Sequence, residues 1–299
     1  MALRPATTHG TRERSMSDRK IAVITGSTGG IGGAIADQLA ASNWDLVLVN
    51  RSAAKASRQK TNLETAHPEA KVDLVQADLM DTDQIKRAAG EILAMHPRID
   101  ALYNNSGVLT SQRIMSAQGH ESNYAVNTLA PYVMLECLRP ALKRTVWPPK
   151  AMIVNTTSAA HNAAKSLDIH MLSDPADIGG LTGVYATTKL ALTTMGTAIA
   201  PDLEKDGIIL RSVCPGAVVT PMTKTSDAMP GILKFFVPLL FNKPEKQAGK
   251  MINAAQPDSF GGRTGIYITN GKEKAAPKLA VDAHVQASLL KKLSADAAL

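Results

Sequence analysis

This 299-residue sequence predicts an α/β fold, a single-domain doubly wound parallel sheet flanked by helices. Three observations predict it. Apolar strand-like runs alternate with helical segments along the whole chain. No Pro/Gly/Ser-rich linker, internal repeat or low-complexity stretch divides it, and a composition 44% apolar and 20% charged suits one sizeable core. The stretch from Ile21 to Ala40 reads as strand, turn and helix, with Gly26, Gly29, Gly30, Gly32 and Gly33 crowded into the turn.

That first unit carries a functional signal. Ile21–Ile24 suit a strand buried on both faces, and from Ala34 the residues Ile35, Ala36, Leu39 and Ala40 fall at helical spacing. A turn of this kind presents free backbone N–H groups and the positive end of a helix dipole to an anion. Gly26, Gly30 and Gly32 let a pyrophosphate approach the backbone where a Cβ would block it. A tight turn without a ligand is the plain alternative, since Gly-x3-Gly-x-Gly is not the more familiar Gly-x-Gly-x-x-Gly. Its place in the first strand–helix unit favours a nucleotide.

The remaining elements follow in order. Asp45–Val49 is a second strand, ending at Asn50-Arg51-Ser52. At such a strand end an acid would accept from a ribose 2′-hydroxyl, whereas an Arg pairs with a 2′-phosphate. Arg51 and the lack of an acid predict NADP(H), against the alternative of a solvated surface Arg. Val72–Ala77 is a third strand ending at Asp78-Leu79. Asp78 reads either as part of the ligand-binding edge or as part of the start of a helix from about Asp81 to Met95, where Asp81 and Gln84 make a partial capping box. Ile99–Tyr103 is a fourth strand running into Asn104-Asn105-Ser106-Gly107, which suits a close backbone approach or an ordinary Asn-rich turn.

A long helix is expected over 122–145, with Asn127 amid apolar neighbours and therefore in need of partners. Ala151–Asn155 is a fifth strand ending in Thr156-Thr157-Ser158. Tyr185 and Lys189, four apart, open another long helix and share a face of it. Ile208–Val213 is a sixth strand, followed by Cys214-Pro215-Gly216-Ala217-Val218-Val219-Thr220, and Gly265–Ile268 is a seventh.

Composition narrows the classes. Cys137 and Cys214 make no disulfide framework, which favours a reducing intracellular compartment. Residues 1–18 read as a disordered basic leader with no secretory h-region; a short transit peptide is the alternative, and Met16 could itself be a start. The first 20 residues contribute +3 of the formal +7. The expected location is the cytoplasm, with organelle targeting by the leader left open. The pI of 9.4 comes without a basic helix face, so no nucleic-acid partner is expected. The longest apolar runs fall far below the ~20 residues that span a bilayer. His161, Asp168 and His170 read as polar surface of an exposed loop, with no metal expected.

In this order the motifs resemble those of the short-chain dehydrogenase/reductase family, over about residues 18–295. Thr25-Gly-Ser-Thr-Gly-Gly-Ile-Gly32 is similar to its cofactor turn, which implies cofactor contacts for Gly26, Ser27, Thr28, Gly30, Ile31 and Gly32. The same resemblance gives Arg51, Asp78, Leu79, Asn105 and Gly107 to the cofactor, and Pro215, Gly216, Val218 and Thr220 to its nicotinamide end. Ser106 replaces the family's Ala. Asn127, Ser158, Tyr185 and Lys189 fall where the family keeps its catalytic tetrad, Tyr185 and Lys189 touching the cofactor as well. The stretch Val154–His161 looks most like the retinol dehydrogenase and protochlorophyllide reductase-like branch. The implied fold is Rossmann-like. The implied activity is an NADP(H)-dependent interconversion of a carbonyl and an alcohol, with assembly as a homodimer or homotetramer.

The chemistry is reasonable for these residue types. Hydride transfer to a carbonyl needs a proton donor at the developing alkoxide. A free tyrosine titrates near 10, and the Lys189 ammonium is expected to lower the Tyr185 phenol. Ser158 would hydrogen-bond the substrate oxygen, and Asn127 would hold a water linking Lys189 to solvent. A catalytically silent dinucleotide-binding or interaction protein is the competing class. Residues 229–241, with three of the four phenylalanines, are expected to form an apolar lid, within a segment near 222–250, over a lipophilic substrate. A core segment, a subunit interface and a membrane-docking surface are its rivals.

Overall fold

The computed structural model describes residues 19–147, 150–218 and 241–299. The basic leader, Val219, Thr220 and residues 221–240 of the expected lid lie outside the described residues.

Eight strands form one sheet in the order β3-β2-β1-β4-β5-β6-β7-β8. They are β1 Lys20–Thr25, β2 Trp44–Asn50, β3 Val72–Gln76, β4 Ala101–Asn104, β5 Ala151–Thr156, β6 Ile208–Cys214, β7 Ile266–Thr269 and β8 Lys272–Lys274. The first seven are parallel and β8 returns antiparallel to β7. β8 is absent from the sequence reading because Lys272, Glu273 and Lys274 carry no apolar alternation; charged residues suit an exposed edge.

Successive strand residues feed opposite faces. Val23, Val47, Leu102, Ile153 and Leu210 pack under α3 (Thr82–Met95), α5 (Ala130–Leu142), α6 (Val184–Lys205) and α8 (Ala283–Ala297). Ala22, Leu46, Tyr103, Met152 and Ile209 pack under α1 (Gly30–Ala41) and α7 (Pro244–Ala254). Helix α2 (Ala53–Ala66) flanks β3. The last part of the expected lid segment, from Pro244, therefore belongs to a helix packed on α1. Among the described residues no helix is long and apolar enough to cross a membrane.

Local chemistry sets the helix ends. Asp81 caps α3 by accepting from the Asp83 and Gln84 N–H groups, and Asp282 caps α8 through Val285 N–H. Gln84 does not close the capping box on Asp81: its Oε1 accepts from Asp78 N–H at 3.1 Å. The expected helix from Ser122 is not continuous. A short turn, α4 (Ser122–Tyr124), leads into a π turn over Ala125–Leu129, where Ala130 N–H bonds the Ala125 carbonyl, and α5 resumes after it. Such widened turns mark functional positions in helices, and Asn127 sits inside this one.

At the sheet edge opposite the strand C-termini, Lys20 lies over the rings of Trp44 and Trp147, 4.6 and 4.8 Å from their centroids. The two indoles meet edge to face at 4.8 Å. Arg211, fully buried in β6, donates to five main-chain carbonyls, those of Ala254, Gln256, Pro257, Ser259 and Arg263. It thereby holds the end of α7 and the loop after it without a carboxylate.

Candidate active site

Strand order reverses between β1 and β4, so a crevice opens beyond the carboxyl ends of these strands. The glycine turn lies at its lip. Gly26 has φ +67°, and a Cβ there would come 2.5 Å from Ser106 Oγ. A Cβ on Gly32 would stand 2.4 Å from both Asn105 Nδ2 and the Gly26 carbonyl. Asn105 donates to the carbonyls of Thr25 and Gly26, and Thr25 Oγ1 accepts the N–H groups of Asn105 and Ser106. The turn after β1 and the loop after β4 thus form one rigid cradle. Helix α1 starts at Gly30 with no side chain capping its N–H groups, and Thr28 and Gly29 are exposed. These uncapped donors and the missing Cβ atoms suit a pyrophosphate, with Ile31 buried beneath them.

Ser27 lies beneath the turn. It is buried; its N–H donates to Asn50 Oδ1, and its hydroxyl bonds Asn50 Nδ2 and Gln59 Oε1. Its polar groups brace the turn from below. Thr25, Asn50 and Gln59 are the residues the sequence reading missed; the signal for Asn50 was a polar residue closing an otherwise apolar strand. Arg51 stands at the end of β2 with its side chain 75% exposed and 3.9 Å from Asp78 Oδ2. Asp78 is not the helix cap: its Oδ1 accepts from Met80 N–H. Leu79 packs against the core, and Gly107 is half-buried at the crevice.

The other wall is built from β5, α6 and the loop after β6. Ser158 follows β5 and caps a short 3-10 turn, accepting from Ala160 N–H at 3.2 Å. Tyr185 opens α6 with its phenol beside Ser158. Lys189, one turn on and 3% exposed, donates from Nζ to the Thr156 carbonyl at 2.9 Å. Asn127 faces this group from the π turn. Its Oδ1 accepts from Val108 N–H, and its Nδ2 donates to the Val108 carbonyl and Thr188 Oγ1. The Asn127 side chain is therefore engaged in holding the loop after Gly107 against α6.

The electrostatics also depart from the expectation. Burial pushes the Tyr185 phenol up to about 12; the Ser158 hydroxyl opposes the rise and negative charge on Cys214 adds to it. Burial brings the Lys189 amine down to about 8. Desolvation dominates both shifts because both groups lie out of water; Lys189 Nζ is 5.9 Å from the tyrosine ring centroid.

Beyond β6, Pro215 is buried and Gly216 has φ +79°, where a Cβ would come 3.0 Å from Asn270 Oδ1. Val218 is buried and bridges Asn242. His161, expected on an exposed loop, is 1% exposed; its ring packs 4.7 Å from that of Tyr267, and desolvation brings it down to about 4. Leu109, Ala160 and Leu181 close around Tyr185 as a small apolar cluster.

The family described as "short chain dehydrogenase" matches residues 20–170 and 173–231. An uncharacterized oxidoreductase of Schizosaccharomyces pombe is 30% identical over 212 residues, 69% of this chain and 62% of that protein's own length. Retinol dehydrogenase 11 of Mus musculus is 25% identical over 251 residues, 84% of this chain and 78% of its own. The crystal structure of a blue fluorescent protein from a metagenomic library, in complex with NADPH, is 26% identical with a TM-score of 0.65, covering 84% of this chain and 96% of its own. With the cradle, the Tyr185–Lys189 pair and strands β1 to β6 all in the matched region, the chain belongs to the short-chain dehydrogenase family.

Proposed function

We propose that the chain is an NADP(H)-dependent oxidoreductase that interconverts a carbonyl and an alcohol on a small lipophilic substrate. The observation that carries this reading is the Ser158–Tyr185 pair with Lys189 one turn on, facing the glycine cradle across the crevice. NADP(H), when bound, supplies or accepts the hydride. Gly26, Gly30 and Gly32 admit its pyrophosphate, Thr28, Gly29 and Ile31 present main-chain donors, and Arg51 is free enough at 75% exposure to turn from Asp78 to a 2′-phosphate.

The residues divide the remaining work. At about 12, the Tyr185 phenol is protonated at neutral pH and serves as proton donor to a developing alkoxide. Ser158 shares the same oxygen by hydrogen bonding. Lys189 contributes a positive charge beside the phenol and a donor toward the cofactor ribose. Asn127 acts through Val108 and Thr188, fixing the floor on which Lys189 sits. The cluster of Leu109, Ala160 and Leu181 around Tyr185 supports an apolar substituent next to the reacting carbon.

A panel of aliphatic, cyclic and aromatic carbonyls and alcohols, read by NADPH and NADP⁺ consumption, tests this. Turnover of apolar carbonyls with NADPH is expected. Tight cofactor binding without turnover anywhere on the panel would instead make the chain a silent dinucleotide-binding protein.

A further inference from the structure

Behind the site lies a layer of buried titratable side chains that the proposed chemistry does not use. Cys214, the last residue of β6, is 2% exposed. Its Sγ accepts N–H groups from Ala159 at 3.1 Å and from Gly216 at 3.4 Å. Ala159 directly follows Ser158, and Gly216 lies in the Pro215–Val218 loop. One sulfur therefore joins the two loops whose spacing fixes the width of the site. The Tyr267 phenol approaches the same sulfur from β7, and the His161 ring packs on Tyr267. His161 Nδ1 bonds Thr193 Oγ1 at 3.1 Å, and Thr193 Oγ1 donates to the Lys189 carbonyl at 3.0 Å. The sulfur is thus coupled to both loops and, through a short chain of contacts, to α6.

We infer that Cys214 is a positioning residue: its sulfur sets the distance between the Ser158 turn and the Pro215–Val218 loop, and so where a bound nicotinamide lies relative to Ser158 and Tyr185. This rests on the oxidoreductase reading. A serine keeps an acceptor for both N–H groups, while a valine fills the space and leaves both donors unmatched. The titratable groups around the sulfur are Tyr185, Lys189 and Tyr267.

Cys214→Ser and Cys214→Val, in the full chain, are compared by NADPH fluorescence titration and by kcat and KM across the pH range. Misplacement by a fraction of an ångström is expected to lower kcat of the valine variant about tenfold or more and weaken NADPH several-fold, with substrate KM little changed. The serine variant is expected to recover most of both. Wild-type kcat and NADPH affinity in Cys214→Val overturn the proposal, as does equal impairment of the two variants, which would mark a packing role. If Cys214→Val does not fold, Cys214→Ala takes its place in the comparison with the same criteria. If the wild type binds NADPH but turns nothing over, the oxidoreductase reading fails while the contrast in NADPH affinity still decides the role of Cys214.

Discussion

Lys189 Nζ and the carbonyl of Thr156 lie 2.9 Å apart, so the cationic end of the site is held by the last residue of β5. That single donor–acceptor contact accompanies a buried amine brought from 10.5 down to about 8. Below pH 8 the fold bears the full cost of keeping this charge out of water, and the cost disappears as pH rises toward 10.5. Lys189→Met removes the cost but leaves the Thr156 carbonyl without its donor. At pH 7 the variant is expected to be more stable than wild type by about 2 kcal/mol, with the gap closing toward pH 10.5, while turnover is lost. Thermal melts of both proteins at several pH values check this; a lower melting temperature for the variant at pH 7 would contradict it.

Tyr185→Phe deletes only the hydroxyl beside Ser158. Turnover is expected to fall at least about a hundredfold, the scale of a lost general acid, with NADPH affinity nearly unchanged. A variant that retains turnover would require another proton donor.

The proposed preference for NADP(H) rests on Arg51. Arg51→Asp is expected to weaken NADPH by about 1.5–3 kcal/mol, the scale of a charged hydrogen bond, and to leave NADH affinity unchanged or improved. Titrating both cofactors against both proteins decides it. Equal affinity of the wild type for NADH and NADPH would defeat the assignment.

Leu109 and Leu181 meet at Tyr185, and Leu181 rides on a tight arc in which Gly179 has φ +56° and Val184 N–H closes back on the Ile178 carbonyl. Leu181→Ala is expected to lower kcat/KM for compact apolar carbonyls by about tenfold, the scale of a lost apolar contact in a pocket, and to spare bulky ones. Unchanged selectivity, measured on the same carbonyl panel, would remove Leu181 from the substrate wall.

Arg211→Lys leaves at most three donors for five carbonyls around the end of α7. A loss of about 3 kcal/mol is expected, from two or more orphaned acceptors, readable as a lower melting midpoint. An unchanged midpoint would show that the carbonyls find other donors.

The reach of the sequence follows from what each residue type reveals by itself. Seven strands were legible because buried parallel strands are near-continuous apolar runs; β8 was not, because an edge strand need not be apolar. The glycine turn and the Tyr185–Lys189 spacing were visible because local spacing encodes them. The inward turn of Ser27, the π turn at Asn127 and the burial of His161 were not, because partners far along the chain decide them: Asn50, Val108 and Tyr267. The pKa values of Tyr185 and Lys189 belong to the same class, since desolvation depends on everything packed around them.

The Lys20–Trp44–Trp147 cluster also fixes an orientation. Arg19, the first described residue, has its guanidinium bound by Asp45 and by the Trp44 carbonyl, on the edge of the sheet facing away from the crevice. A label coupled at this edge would therefore lie behind the sheet and leave the crevice open to cofactor and substrate.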